Sequence, residues 1–328
     1  MIVHPADSKQ DSPKQPTVYH GRFLCQTSWR WVARLSKHTM HLRITKHGIF
    51  TALLLAARLN AAAVSSPPAN DSSGEGGPFP AVAESLWRGH AKLAFKMGEH
   101  AGFVVAPNSP APGRPWIWRT SFPDYHPEVD LLLLERGYHI AHLDVLKMLG
   151  ADTALDLMDA FYERVRENWK LAPKPALEAV SRGGLHAYRY AARHPDRIAC
   201  IYADVPVMDL KSWPSKRADS RNQLQDALHF YGWTSEDELR SFKGNPLDLL
   251  APIAQASIPL RHIINLRDKV VPPEENTLEA RRRLRVLGWD MDLVVLDADT
   301  ALESHHFPIA EAAKTADFIL KHTLRPSP

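Results

Sequence analysis

The chain has almost no cysteine, two in 328 residues. Cys25 lies in the amino-terminal stretch and Cys200 in an apolar, strand-like run. That excludes a disulfide framework and a cysteine-based metal site. Cys200 reads as a small buried hydrophobe. A charge of one sign is also missing from the body. The formal charge is +3, but nine of the 40 Lys/Arg and only two of the 37 Asp/Glu fall in residues 1–63. The remainder holds 31 basic and 35 acidic residues, a net −4. Such a balance gives no electrostatic reason for a nucleic-acid partner. There is no internal repeat, no heptad pattern and no apolar run that comfortably spans a bilayer. What is there is an ordinary globular composition, 45% hydrophobic and 23% charged. It is long enough for one large core or two modest ones.

The amino terminus has its own pattern. Residues 40–47 are basic, residues 48–59 are apolar apart from Arg58, and Ala61, Ala62 and Ala63 follow. A basic start, a short apolar centre and small residues at the end describe a secretory signal peptide. Signal peptides do not normally begin 39 residues into a chain. The expectation is therefore that Met40 is the true start and that residues 1–39 are a non-native extension. Export would leave the protein secreted or periplasmic, with no membrane attachment after cleavage. Residues 64–80, rich in Ser, Pro, Gly and Asn, read as a linker. The folded domain is expected over 81–328.

Within that domain, strand-like and helix-like runs alternate. Strands are predicted at 90–95, 102–106, 115–119, 139–145, 175–180, 198–203, 260–266 and 291–296. Helices are predicted at 151–169, 184–193, 279–286 and 311–322. Residues 151–169 carry Leu155, Met158, Phe161 and Tyr162 at helical spacing. Such alternation predicts an α/β fold with a doubly wound, mostly parallel sheet. Continuous apolar runs such as 198–203 and 293–296 predict fully buried strands. Residues 207–255 break the rhythm with Trp213, Tyr231, Trp233 and short helical patterns. They read as a helical lid inserted above the carboxyl edge of the sheet.

One junction carries chemistry. Residues 175–180 end at Ser181, and a helix pattern begins almost at once. The motif Ala179-Val180-Ser181-Arg182-Gly183 matches Gly-x-Ser-x-Gly with alanine at the first glycine. A serine on such a turn stands exposed at the top of a sheet, where it can act as a nucleophile. It needs a base, and the base needs an orienting carboxylate. Asp268 follows the predicted strand 260–266, and His305 follows the strand 291–296. Serine, acid, histidine is the chain order required. Each residue alone is unremarkable: a helix start, a turn aspartate, one of 17 histidines. The conjunction carries the reading. His306 is the alternative base and otherwise a pocket residue. Asp204, at the end of the strand after the nucleophile helix, is the alternative acid. An oxyanion hole requires two backbone N–H groups. Arg182 is expected to supply one, and Arg119 or Thr120 the other. The Arg119 side chain is a further candidate for an anionic or sugar group of the substrate. Trp116, Trp118 and Trp213 are expected to line a substrate pocket. No carboxylate at ligand spacing accompanies His305-His306, so neither a metal nor a cofactor is expected.

These segments resemble a family. Residues 113–119 (GRPWIWR), 176–184 (ALEAVSRGG), 201–213 (IYADVPVMDLKSW), 243–248 (KGNPLD) and 270–276 (VVPPEEN) are similar to those of exported bacterial α/β hydrolases. These are serine hydrolases and esterases of prolyl-oligopeptidase-like type. The resemblance covers residues 85–325. It implies the α/β-hydrolase fold, a triad of Ser181, Asp268 and His305, and hydrolysis of an ester. Relatives suited to acylated polysaccharides imply a carbohydrate esterase. A serine peptidase, an acyltransferase and a non-catalytic carbohydrate-binding protein are the alternatives. The chain departs from the pattern at Ala179 and at Ser304-His305-His306-Phe307-Pro308, where relatives carry Gly-His-His-Pro-His.

Overall fold

In the computed structural model, residues 83–323 are described. The expected extension, signal peptide and linker lie outside them. The alternating apolar runs form one nine-stranded sheet, ordered β1-β2-β3-β5-β4-β6-β7-β8-β9. The strands are β1 (Ala83–Trp87), β2 (His90–Met97), β3 (His100–Val105), β4 (Trp116–Arg119), β5 (His139–Leu143), β6 (Ala176–Val180), β7 (Cys200–Asp204), β8 (Leu260–Asn265) and β9 (Asp292–Leu296). The first three strands and β5 pair antiparallel, and every pairing from β5 through β9 is parallel. Parallel strands need crossovers, and helices supply them: α1 (Glu128–Leu134), α2 (Asp152–Trp169), α3 (Gly183–Arg193), α6 (Leu250–Gln255) and α7 (Thr277–Val286), with a last helix at Ala312–Thr323.

Helices on both faces bury the central strands completely, from β4 through β8. Side chains alternate across the sheet, which decides what each face packs against. Trp116, Trp118 and Leu177 join the core under α2 and α3, with Phe161 and Tyr190. Ile117, Ala176 and Tyr202 join the core under α1 and the last helix, with Leu133 and Ile319. The apolar run 293–296 reads as a buried strand but forms the sheet edge, and Val295 is 48% exposed. β1 and α1 have no counterpart among the predicted elements.

The insertion after β7 contains α4 (Arg221–Tyr231) and α5 (Glu236–Ser241). Leu224, Ala227 and Leu239 pack there with Leu149, Leu185, Val207 and Trp213 in a separate small core. Its end differs from the expected 255, because Leu250, Ile253 and Ala254 of α6 belong to the main core. Among the described residues, no helix is long and apolar enough to cross a membrane.

Candidate active site

Ser181 stands between β6 and α3 with φ +52°, a left-handed conformation uncommon for serine. The surroundings enforce it. The Ser181 amide donates to the Asp204 carbonyl at 2.9 Å, and its carbonyl accepts from Val207 N–H at 2.8 Å. The glycines after it are needed for space. A Cβ on Gly183 would lie 2.1 Å from Ser121 Oγ, and one on Gly184 would lie 2.6 Å from the Val207 carbonyl oxygen. Alanine at 179 is tolerated because that residue points into the core under α2 and α3.

His305 Nε2 lies 3.0 Å from Ser181 Oγ, and His305 Nδ1 lies 2.7 Å from Asp268 Oδ2. A carboxylate cannot donate, so Nδ1 carries the proton and Nε2 accepts from the serine hydroxyl. The other oxygen of Asp268 accepts from the amides of Val270 and Val271 at 2.8 and 2.9 Å. Asp268 and His305 are buried, 3% and 5% exposed, while Ser181 is half-buried. His306 does not reach the serine in this arrangement. It lines the cavity, and burial pulls its imidazole below the usual range, with His305 and His126 acting the same way.

His305 is carried on a turn of unusual backbone. Leu302, Glu303 and Ser304 have φ of +49°, +51° and +67° in succession. Asn265, the last residue of β8, clamps this turn. Its side-chain amide donates to the carbonyls of Ala298 and Ser304 at 2.8 and 2.9 Å. The Lys269 amide donates to the Glu303 carbonyl at 3.0 Å, which joins the loop of Asp268 to the turn of His305. Arg217, from the insertion, bonds both the Lys269 carbonyl and the Glu303 carboxylate.

A cavity of about 330 Å³ opens over Ser181. Phe122, Tyr125, Arg182, Trp213 and His306 are among its walls. Of the four residues expected to contact substrate, Trp213 and His306 line this cavity. Trp116 and Trp118 do not. Both are interior residues of β4, at most 1% exposed, and the Trp116 indole donates to the Ala172 carbonyl. A site at the carboxyl edge is reached only by residues beyond the strand end. Arg119 is corrected for the same reason. It is fully buried, and its guanidinium is ion-paired with Asp130 and close to Glu178, under the sheet. The Thr120 amide is engaged with the Glu178 carbonyl at 2.9 Å. The loop residue that reaches the cavity is Phe122, at φ +42°. Neither its amide nor that of Arg182 has a hydrogen-bond acceptor among the described residues.

Asp204 is not bonded to His305. It is a buried carboxyl at the end of β7, with Oδ1 unpartnered. Burial pushes its pKa up to about 7, against the pull of Arg119 and with a push from Asp268. The residues that sequence reasoning missed are Asn265, Phe122, Tyr125 and Arg217. Only Asn265 left a signal, a lone amide directly after Ile263-Ile264 at the end of β8. Among the described residues, no group of three or more His, Cys, Asp or Glu could hold a metal ion.

By sequence, no family model matches the chain and no curated protein is similar to it. By structure it is similar to an S-formylglutathione hydrolase from Agrobacterium tumefaciens, with a TM-score of 0.53 at 13% identity, over 74% of this chain and 100% of that one. It is similar to a sugar hydrolase from Lactococcus lactis, with a TM-score of 0.50 at 15% identity, over 70% and 97%. A putative dipeptidyl aminopeptidase IV from Bacteroides ovatus matches with a TM-score of 0.53 at 13% identity, over 76% of this chain; this chain spans 36% of that one. At such identities the likeness is one of fold, and the fold is that of the α/β hydrolases.

Proposed function

On an α/β-hydrolase fold with Ser181, His305 and Asp268 hydrogen-bonded in series, we propose that this protein is a serine hydrolase cleaving carboxylic esters. The observation that carries the reading is that chain of bonds, 3.0 Å from serine to imidazole and 2.7 Å from imidazole to carboxylate. Ser181 attacks the ester carbonyl while His305 takes its proton. His305 then returns that proton to the departing alcohol, leaving an acyl-enzyme. Water, deprotonated by the same imidazole, attacks the acyl group and frees the serine. Asp268 keeps Nδ1 protonated and steadies the imidazolium. The amides of Arg182 and Phe122 are the donors for the developing oxyanion.

Acyl esters on carbohydrates are the substrate class we favour. Trp213, Phe122 and Tyr125 offer aromatic faces at the cavity, suited to packing on a sugar ring. The residues at 40–63 add an export signal to this proposal. Edman sequencing of the mature protein is expected to begin after residue 63, and a mature chain beginning before Met40 overturns export.

The test of the chemistry is hydrolysis of 4-nitrophenyl acetate, together with labelling by a fluorophosphonate. Ser181→Ala is expected to lower kcat at least about 10⁴-fold and to abolish labelling. Turnover that survives the substitution removes Ser181 as nucleophile. A wild-type protein that binds sugar but takes no label is the non-catalytic alternative. The peptidase alternative has a likeness behind it, because the Bacteroides ovatus match is a putative peptidase. Cleavage of acyl-peptide 4-nitroanilides faster than of acetylated sugars would favour it.

A further inference from the structure

Three side chains of opposite or like charge line the cavity over Ser181: Arg182, Arg217 and Asp219. Two of them cancel. Arg217 donates to both oxygens of Asp219, at 2.7 and 2.9 Å, and to Glu303 at 3.2 and 3.3 Å. Arg182 is different. It forms no ion pair and no side-chain hydrogen bond among the described residues. Its guanidinium lies over the Phe122 ring at 5.3 Å and toward the Trp213 ring at 6.0 Å. It is half-buried. Burial pulls its pKa below the usual range, and Asp226 and Asp144 oppose this only through longer-range attraction. The group stays charged all the same.

A guanidinium has five N–H donors in a planar fork. Ring faces hold it by its charge and leave those donors unengaged. Its nitrogens have no protein acceptor among the described residues and stay open to the cavity, where a ligand can supply one. The residue directly follows the nucleophile, so an acceptor bound there sits beside the reacting carbonyl. We propose that Arg182 is a subsite for an anionic group of the substrate, a carboxylate carried on the acid or the alcohol part of the ester. This rests on the serine-hydrolase reading of the same cavity.

The test compares matched esters on wild type, Arg182→Gln and Arg182→Lys. Mono-4-nitrophenyl succinate against 4-nitrophenyl butyrate puts the carboxylate on the acyl side. The pair 3-acetoxybenzoate and phenyl acetate puts it on the alcohol side. In at least one pair, the anionic-to-neutral ratio of kcat/KM is expected to fall at least about tenfold in Arg182→Gln and to recover in part in Arg182→Lys. The pair that responds identifies the side. An unchanged ratio in both pairs, or equal losses on anionic and neutral esters, overturns the subsite. Equal losses would place the guanidinium on the reacting oxygen instead. Binding is read apart from turnover by calorimetric titration of 3-acetamidobenzoate and acetanilide into Ser181→Ala and into Ser181→Ala with Arg182→Gln. If no ester is turned over but carboxylate binding disappears with Arg182→Gln, the hydrolase reading fails and the anion subsite stands. If the two proteins bind the benzoate equally, the subsite fails.

Discussion

Asp268 shows how much one side chain is asked to do. One oxygen fixes the imidazole tautomer, and the other accepts from two backbone amides that hold the loop. An asparagine of the same shape cannot do both. With its carbonyl toward the amides, it turns an NH₂ toward Nδ1, which then has to accept and lose its proton. Nε2 is left protonated and unable to take the serine proton. Asp268→Asn is therefore expected to lower kcat on 4-nitrophenyl acetate about 10⁴-fold at neutral pH, with the melting temperature nearly unchanged. A loss under about tenfold would mean that another group orients His305. The same residue scale explains which assignments were legible. Ser181, Asp268 and His305 could be placed because each follows a strand in an order that the chemistry demands. Trp116, Trp118 and Arg119 could not, because the side of the sheet a residue faces depends on parity at the strand end. Pro115 through Arg119 shows no alternation, so nothing in it distinguishes core from cavity.

At the scale of elements, strands bounded by turn residues and helices with a clear apolar stripe are legible in the sequence. β1 was not, since Glu84, Ser85 and Leu86 are exposed and only Trp87, at its end, enters the core, so it carries no apolar run. α1 was not, because a seven-residue helix with four apolar residues in a row has no helical spacing to detect. The turn at 301–306 belongs to this scale as well. In the family that the sequence resembles, glycine stands where this chain has Ser304, and the backbone of the turn shows why glycine is favourable there. Three consecutive residues take left-handed backbone, which costs a side-chain-bearing residue about 1–2 kcal/mol. Here Asn265 and Arg217 hold the turn in place of glycine. Leu302 is the residue to test, since it is 54% exposed and contributes little to the core. Leu302→Gly relieves strain but adds unfolded-state entropy, so the net gain is about 0.5–1 kcal/mol. A rise in melting temperature of about 1–3 °C is expected by calorimetry. A fall would show that the left-handed backbone is not strained at this position.

Taken whole, the molecule carries an imbalance of charge beneath its site. Asp130, Glu178 and Asp204 are all buried on the α1 face of the sheet, with Arg119 as their one buried cation among the described residues. Burial raises the pKa of each carboxyl, and Arg119 opposes the rise in each case. For Asp204 the folded value is about 7, against an ordinary 3.8. A folded pKa above the unfolded one means that the native state holds its proton more tightly. Below about pH 4 both states are protonated and this residue costs nothing. Between there and pH 7 the unfolded state ionises first, so native stability falls as pH rises. Above pH 7 the full cost of a buried charge remains. Asp204→Asn keeps the shape and removes the titration. Its melting temperature relative to wild type is expected to climb from pH 5 to pH 8, most steeply between pH 5 and 7. A difference that stays flat over that interval would mean that Asp204 is ionised throughout and is compensated by Arg119. In that case the carboxyl that keeps its proton in this cluster is Glu178 or Asp130. The corresponding Glu178→Gln variant would then show the pH dependence that Asp204→Asn lacks.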